Sequence, residues 1–229
     1  AVKVKIASTA TVKKAPIIKT PTSIATSMSA IAHGGAQSRL IVAIGASTGG
    51  TEATLEILKY LPAEFPPIVV TQHMPVGFTK MYAERLNRIC PMRVEEATNG
   101  MRCEQGLAII AVGDKQMTLE RDARGYFVRC VEGEKVSGHC PSVDVLFNSV
   151  AKTAGSNAIG VILTGMGRDG ANGLLAMRNK SSYTIGQCKE SCVVYGMPME
   201  AQKLGAVEIE APVENIAGML VRKINSHGK

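Results

Sequence analysis

The chain has 229 residues, 45% of them hydrophobic, 20% charged and none of them tryptophan, the profile of a globular protein whose core is built from aliphatic side chains. No stretch approaches the ~18 consecutive apolar residues of a membrane span, so membrane insertion is not expected. The net charge of +7 is unevenly placed: residues 1–38 hold five lysines and no acid, and the remaining residues are close to balance. A folded part with so little excess charge shows no basic stripe for nucleic acid.

Residues 1–38 are rich in Ala, Thr, Ser, Lys and Pro without a sustained apolar period. Such a segment buries too little surface to offset its ordering entropy and reads as a flexible interdomain linker or tail, with 39–229 as the folded domain. It has no secretory apolar region. The cysteines, Cys90, Cys103, Cys130, Cys140, Cys188 and Cys192, form no C-x-x-C pair. Scattered thiols suit a reducing, cytoplasmic setting, and no metal site is expected from them.

The first element is the apolar run 40–44, which leads into Gly45-Ala46-Ser47-Thr48-Gly49-Gly50 and a helix over 50–60. The G-x-S-x-G spacing, set between a strand and a helix, places a serine hydroxyl on a sharp bend at the carboxyl end of a sheet. The helix start adds free N–H groups suited to a developing negative charge. A second strand over 67–72 runs into His73, and a helix over 77–90 follows. The region 107–131, with turns at Gly113-Asp114 and Arg124-Gly125, reads as three short strands (107–112, 116–120, 126–131) forming an antiparallel meander. After a helix over 142–154, the strand 159–163 leads into Thr164-Gly165-Met166-Gly167-Arg168-Asp169 and a helix over 169–179. Strands at 183–187 and 206–209 and helices at 196–204 and 213–225 complete the pattern.

Runs such as IVVTQ and GVILTG are apolar on both faces, as in a parallel sheet covered by helices. The expected fold is therefore α/β: one doubly wound, mostly parallel sheet with helices on both faces and an added antiparallel meander. Ligands of such sheets bind at the carboxyl ends of the strands, where this chain presents Ser47, His73 and Asp169. These are the side chains needed to activate a hydroxyl: imidazole takes its proton, and a carboxylate orients the imidazole and stabilises its cation.

Each has a plainer alternative. Ser47 could be a helix N-cap, His73 could satisfy a loop carbonyl, and Asp169 could cap the helix that starts near Ala171. His139, before a proline and a helix, is a further candidate for the rim of the site. Asp144 falls in a first helical turn, where a carboxylate meets the macrodipole favourably. A nucleotide cofactor is not expected. The glycine turn is neither G-x-G-x-x-G nor a P-loop, and the second strand ends without an acid for a ribose.

Six segments carry a resemblance: IGASTGGTEA at 44–53, TQHMPVGFT at 71–79, GDKQM at 113–117, PSVDVLFNSVA at 141–151, GVILTGMGRDGANGLLAM at 160–177 and SCVVYGMPMEA at 191–201. In this order, from about Leu40 to Ala206, the chain resembles the catalytic domain of the chemotaxis response-regulator protein-glutamate methylesterases, the CheB family. It departs at Asn179-Lys180-Ser181-Ser182, where such proteins often carry a small Ala-Gly-Ala turn. The resemblance implies a cytoplasmic, cofactor-free serine hydrolase of γ-glutamyl methyl esters on methyl-accepting chemotaxis receptors, with deamidation of receptor glutamines in some members. It implies Ser47 as nucleophile, His73 as base and acid, and Asp169 as orienting carboxylate. Thr48 and Met166 would line the site, and the turns containing Gly49 and Gly167 would supply oxyanion contacts. It also implies a phosphorylatable receiver domain ahead of the linker, absent from this chain. A receptor-docking domain without catalysis, or a hydrolase of other esters, remains an alternative.

Overall fold

The computed structural model describes residues 39–227; the 1–38 segment read as linker lies outside them. Among the described residues, nine strands and six α-helices follow in chain order. They are β1 (Ile41–Ala46), α1 (Gly50–Leu58), β2 (Ile68–Gln72), α2 (Phe78–Ile89), β3 (Arg93–Glu96), β4 (Leu107–Ile110), β5 (Gln116–Asp122), β6 (Gly125–Val131), α3 (Val143–Thr153), β7 (Ala158–Ile162), α4 (Ala171–Asn179), β8 (Tyr183–Gln187), α5 (Met197–Lys203), β9 (Ile209–Ala211) and α6 (Val213–His227).

Seven strands form one sheet in the order β3-β4-β2-β1-β7-β8-β9, with every neighbouring pair parallel. Strand β1 is central, and all six of its residues are buried. Its side chains alternate between two cores, as the period of a strand requires. Val42, Ile44 and Ala46 pack with Ile57 of α1, Leu86 of α2 and Leu220 of α6. Ile41 and Ala43 pack on the other face with Phe147 of α3, Leu174 of α4 and Met197 of α5. Burying each large aliphatic contributes about 1.5–3 kcal/mol, so an entirely apolar β1 anchors both layers. In α2 the apolar stripe is Thr79, Tyr82, Ala83 and Leu86, the i, i+3, i+4, i+7 spacing of an amphipathic helix.

The antiparallel addition is smaller than the three-strand meander expected from the turns. Among the described strands, only β5 and β6 pair antiparallel, as a separate hairpin. Leu107–Ile110 instead joins the main sheet between β2 and β3; its all-buried LAII run suits a covered parallel strand better than a hairpin edge. The hairpin is held on α3 by Ser149 Oγ, which accepts from the Leu119 amide at 2.9 Å, and by Thr153 Oγ1, which donates to the Leu119 carbonyl at 3.0 Å.

The chain leaves β1 toward β2 on one side and returns as β7 on the other. β1 is thus the point at which the winding reverses, where doubly wound folds open a crevice at the carboxyl ends of their strands.

Candidate active site

Three adjacent strands deliver the candidate side chains to one edge. Ser47 follows β1, His73 follows β2, and Asp169 lies in the loop from β7 to α4. The Ser47 bend is pinned through its backbone. Its amide donates to the Thr164 carbonyl at 3.0 Å, and its carbonyl accepts from the Gly50 amide at 2.8 Å. Gly49 takes φ +81°, and a β-carbon there would lie 2.6 Å from Val193, so both conformation and space demand glycine. The loop after β7 closes on Ser47: a β-carbon at Gly165 would lie 2.7 Å from Ser47 Cβ.

His73 Nε2 and Asp169 Oδ2 are 2.7 Å apart, and Asp169 is 1% exposed. The carboxylate also accepts from Ser142 Oγ at 2.7 Å, the Val143 amide at 2.7 Å and the Asp144 amide at 3.1 Å. It therefore sits on the N-terminus of α3, whose N-cap is Ser142, and not on the helix it precedes. Burial alone would raise the Asp169 pKa, but the bonds from His73, Ser142 and the two amides outweigh it and hold the carboxyl below its ordinary value. Asp144 reciprocates: its Oδ1 accepts from the Gly173 amide of α4 at 2.7 Å. Each carboxylate serves the other's helix. Burial raises the Asp144 pKa, against the Gly173 amide, and repulsion from Asp169 adds to the rise.

With Nε2 engaged by Asp169, the other imidazole nitrogen, Nδ1, is buried and has no hydrogen-bond partner. It is left as the proton acceptor. His73 and Ser47 line one open groove of about 800 Å³, together with Met74, Phe78, Met81 and Arg88. The Ser47 hydroxyl makes no hydrogen bond among the described residues; such contacts often tighten only when substrate binds.

The remaining candidates surround this centre. His139 stacks on His73 with ring centroids 3.6 Å apart and planes within 4°. Its pKa is lowered by burial first and by the neighbouring His73 second. Thr48 is exposed and Gly49 half-buried beside Ser47, and the two amides have no partner among the described residues. The amides of Met166 and Gly167 are likewise free, and the Met166 side chain stands 72% exposed at the rim. Ser142, a ligand of Asp169, and Gln72 are polar neighbours that the sequence reading did not single out. Serine three residues before a helical amide is an N-cap signal, but its second bond to Asp169 has no local signature.

One grouping bears on metals. His73, His139 and Asp169 each offer an atom within 4.8 Å of the others. Yet the parallel rings carry their lone pairs side by side, not toward one point, and the Asp169 oxygens already accept four donors. This donor set fits a hydrogen-bonded carboxylate better than a cation ligand.

The family model for CheB methylesterase matches residues 42–220, most of the chain. The chain belongs to the CheB methylesterase family. Among curated relatives, it is 55% identical over 185 residues to protein-glutamate methylesterase/protein-glutamine glutaminase 2 of Syntrophomonas wolfei, covering 81% of this chain and 54% of that protein. The corresponding protein of Salmonella typhimurium is 50% identical over 189 residues, covering 82% of this chain and 54% of its own length. The chain thus spans about half the length of the curated relatives it matches. The crystal structure of the Thermotoga maritima CheB methylesterase catalytic domain superposes with a TM-score of 0.79 at 37% identity, covering 80% of this chain and 98% of that one. Membership of the CheB family agrees with the parallel sheet and with the resemblance carried by the six segments.

Proposed function

We propose that this chain is a serine hydrolase that removes γ-methyl esters from glutamyl side chains of chemotaxis receptors, releasing methanol, and that it also deamidates receptor glutamines. The observation that carries the reading is the 2.7 Å bond between His73 and Asp169, which leaves the other imidazole nitrogen unpartnered on a histidine that lines one groove with Ser47. The names of the relatives pair the two activities, and one mechanism serves both.

Ser47 Oγ attacks the ester carbonyl as His73 Nδ1 takes its proton. Asp169, kept anionic by its four donors, stabilises the imidazolium that forms. The tetrahedral oxyanion is held by free amides of the Ser47–Gly50 turn and of the Met166 loop, which carry partial positive charge fixed in place before reaction. The imidazolium returns its proton to the departing methoxide, and methanol leaves. Water then attacks the acyl-enzyme by the same proton route, giving the free glutamate. With a glutamine the leaving group is ammonia. No step calls on a metal or organic cofactor. Thr48, Met166 and His139 frame the bound side chain.

The groove supports a protein substrate. Phe78 and Met81 on α2 are more than half exposed at its margin, apolar contacts suited to a side chain presented on a larger surface. On this reading 39–229 is the catalytic domain, 1–38 is the linker, and a receiver domain joined through that linker is the regulatory partner. No described helix is long and apolar enough to cross a membrane, and the enzyme acts on its receptors from the cytoplasm.

The test compares turnover on methylated receptor in membranes with turnover on small p-nitrophenyl esters. Methanol release from receptor at a far higher kcat/KM supports the assignment. Equal or better turnover of the small esters supports a generic esterase, and receptor binding without methanol supports a docking domain.

A further inference from the structure

Gln72 is the last residue of β2, 3% exposed, between the strand that ends at the nucleophile and the residue that supplies the base. Its Nε2 donates to the Ser47 carbonyl at 2.8 Å and to the His73 carbonyl at 3.1 Å. One amide nitrogen therefore ties the main chain of the nucleophile to that of the base. The Ser47 carbonyl also accepts from the Gly50 amide, so both of its lone pairs are used. A carbonyl fixed in this way sets the plane of the Ser47–Thr48 peptide, and with it the direction of the free Thr48 amide. The Gln72 oxygen is spent differently: Oε1 is buried without any partner. It packs where a β-carbon on Gly50 would collide with it. An unpaired buried oxygen is unfavourable, and an apolar side chain of the same length would fill the space without it. What the amide adds is its pair of donors.

We propose that Gln72 is a positioning residue of the hydrolytic reaction, holding the Ser47 turn and the His73 backbone in register so that Oγ, the imidazole and the Thr48 amide meet the substrate carbonyl together. This rests on the serine-hydrolase reading above. Gln72 does not touch the reacting atoms; it acts through the two carbonyls it holds.

Gln72→Met keeps length and volume and removes both donors. The expected result is a fall in kcat of about a hundredfold, the order of loss that follows small misplacement of reacting groups, with KM on methylated receptor little changed. Gln72→Glu supplies the second readout. Ionised, its carboxylate faces two carbonyls and donates nothing; protonated, it regains one donor. The ratio of its kcat to that of the parent should therefore rise as pH falls, a dependence that lost packing alone does not produce. Parental kcat in Gln72→Met overturns the proposal. If that variant does not fold, a ratio for Gln72→Glu that is flat across pH overturns it instead. Undiminished turnover in a parallel Ser47→Ala control would defeat the serine-hydrolase reading, a failure distinct from that of the Gln72 assignment.

Discussion

At the scale of single residues, the bond between His73 and Asp169 joins two positions 96 apart in the chain. Both positions were legible in the sequence because each follows an apolar strand, where an α/β sheet exposes its ligands. The same logic found Ser47 from its glycine-flanked turn. It did not reveal the other donors that hold the buried Asp169 carboxylate. Ser142 and the Val143 and Asp144 amides come from a helix start some 26 residues upstream, and only packing brings them there. Nor did it reveal the stacking of His139 on His73, which depends on the loop before α3. Asp169→Asn should lower kcat by roughly four decades, as loss of the orienting carboxylate does in serine proteases; steady-state kinetics on methylated receptor would check this. A loss under tenfold would reduce Asp169 to a partner of the α3 amides. None of the cysteines lines the groove with Ser47, and burial pushes the Cys103 and Cys192 thiols up to about 12 and Cys90 to about 11. Iodoacetamide at pH 7 should therefore leave methanol release unchanged, since the thiolate is the reactive form. Stoichiometric inactivation would point to a cysteine nucleophile.

At the scale of elements, the exchange between α3 and α4 links the site to stability. Ser142 caps α3, accepting from the Val145 amide, and its hydroxyl donates to Asp169. Ser142→Ala should cost about 1 kcal/mol, as N-cap loss does, seen as a fall in Tm of about 2–4 °C for a domain of this size. Its kcat should fall far less than that of Asp169→Asn, because the Val143 and Asp144 amides still hold the carboxylate. An unchanged Tm would contradict the capping role. Most elements were legible from apolar runs and helical spacing, with ends that differ by a few residues. The misses share a physical cause. Arg93–Glu96 is a four-residue edge strand with one buried residue, Val94, and so carries too little apolar pattern to register. The turns that closely follow 107–112 suggest a strand of an antiparallel meander; the partners of Leu107–Ile110, β2 and β3, lie upstream and are invisible to a local pattern. The last strand lies at Ile209–Ala211 instead of 206–209. There the apolar pair Ala206 and Val207 is buried ahead of the strand.

At the scale of the whole molecule, a buried carboxylate couples the site to acid stability. Asp169 has its pKa lowered in the fold, so its contribution is complete above the unfolded carboxylate value of about 3.9 and is lost as pH falls through the lower folded value. The parent should therefore lose stability on acidification below about pH 4 more steeply than Asp169→Asn, as followed by thermal melts across that range. Parallel curves would show that Asp169 carries no such linkage. The central β1, buried on both faces, puts Ser47 at the point where the winding reverses, with His73 and Asp169 delivered from the strands on either side. That architecture was readable as a class from the alternation of elements, whereas the sheet order was not. The serine-hydrolase mechanism is tested by release of labelled methanol from methyl-labelled receptor membranes, measured side by side for the parent chain and Ser47→Ala. It predicts release by the parent and a loss of several orders of magnitude in a variant that keeps its Tm. Equal release by the two proteins would contradict it.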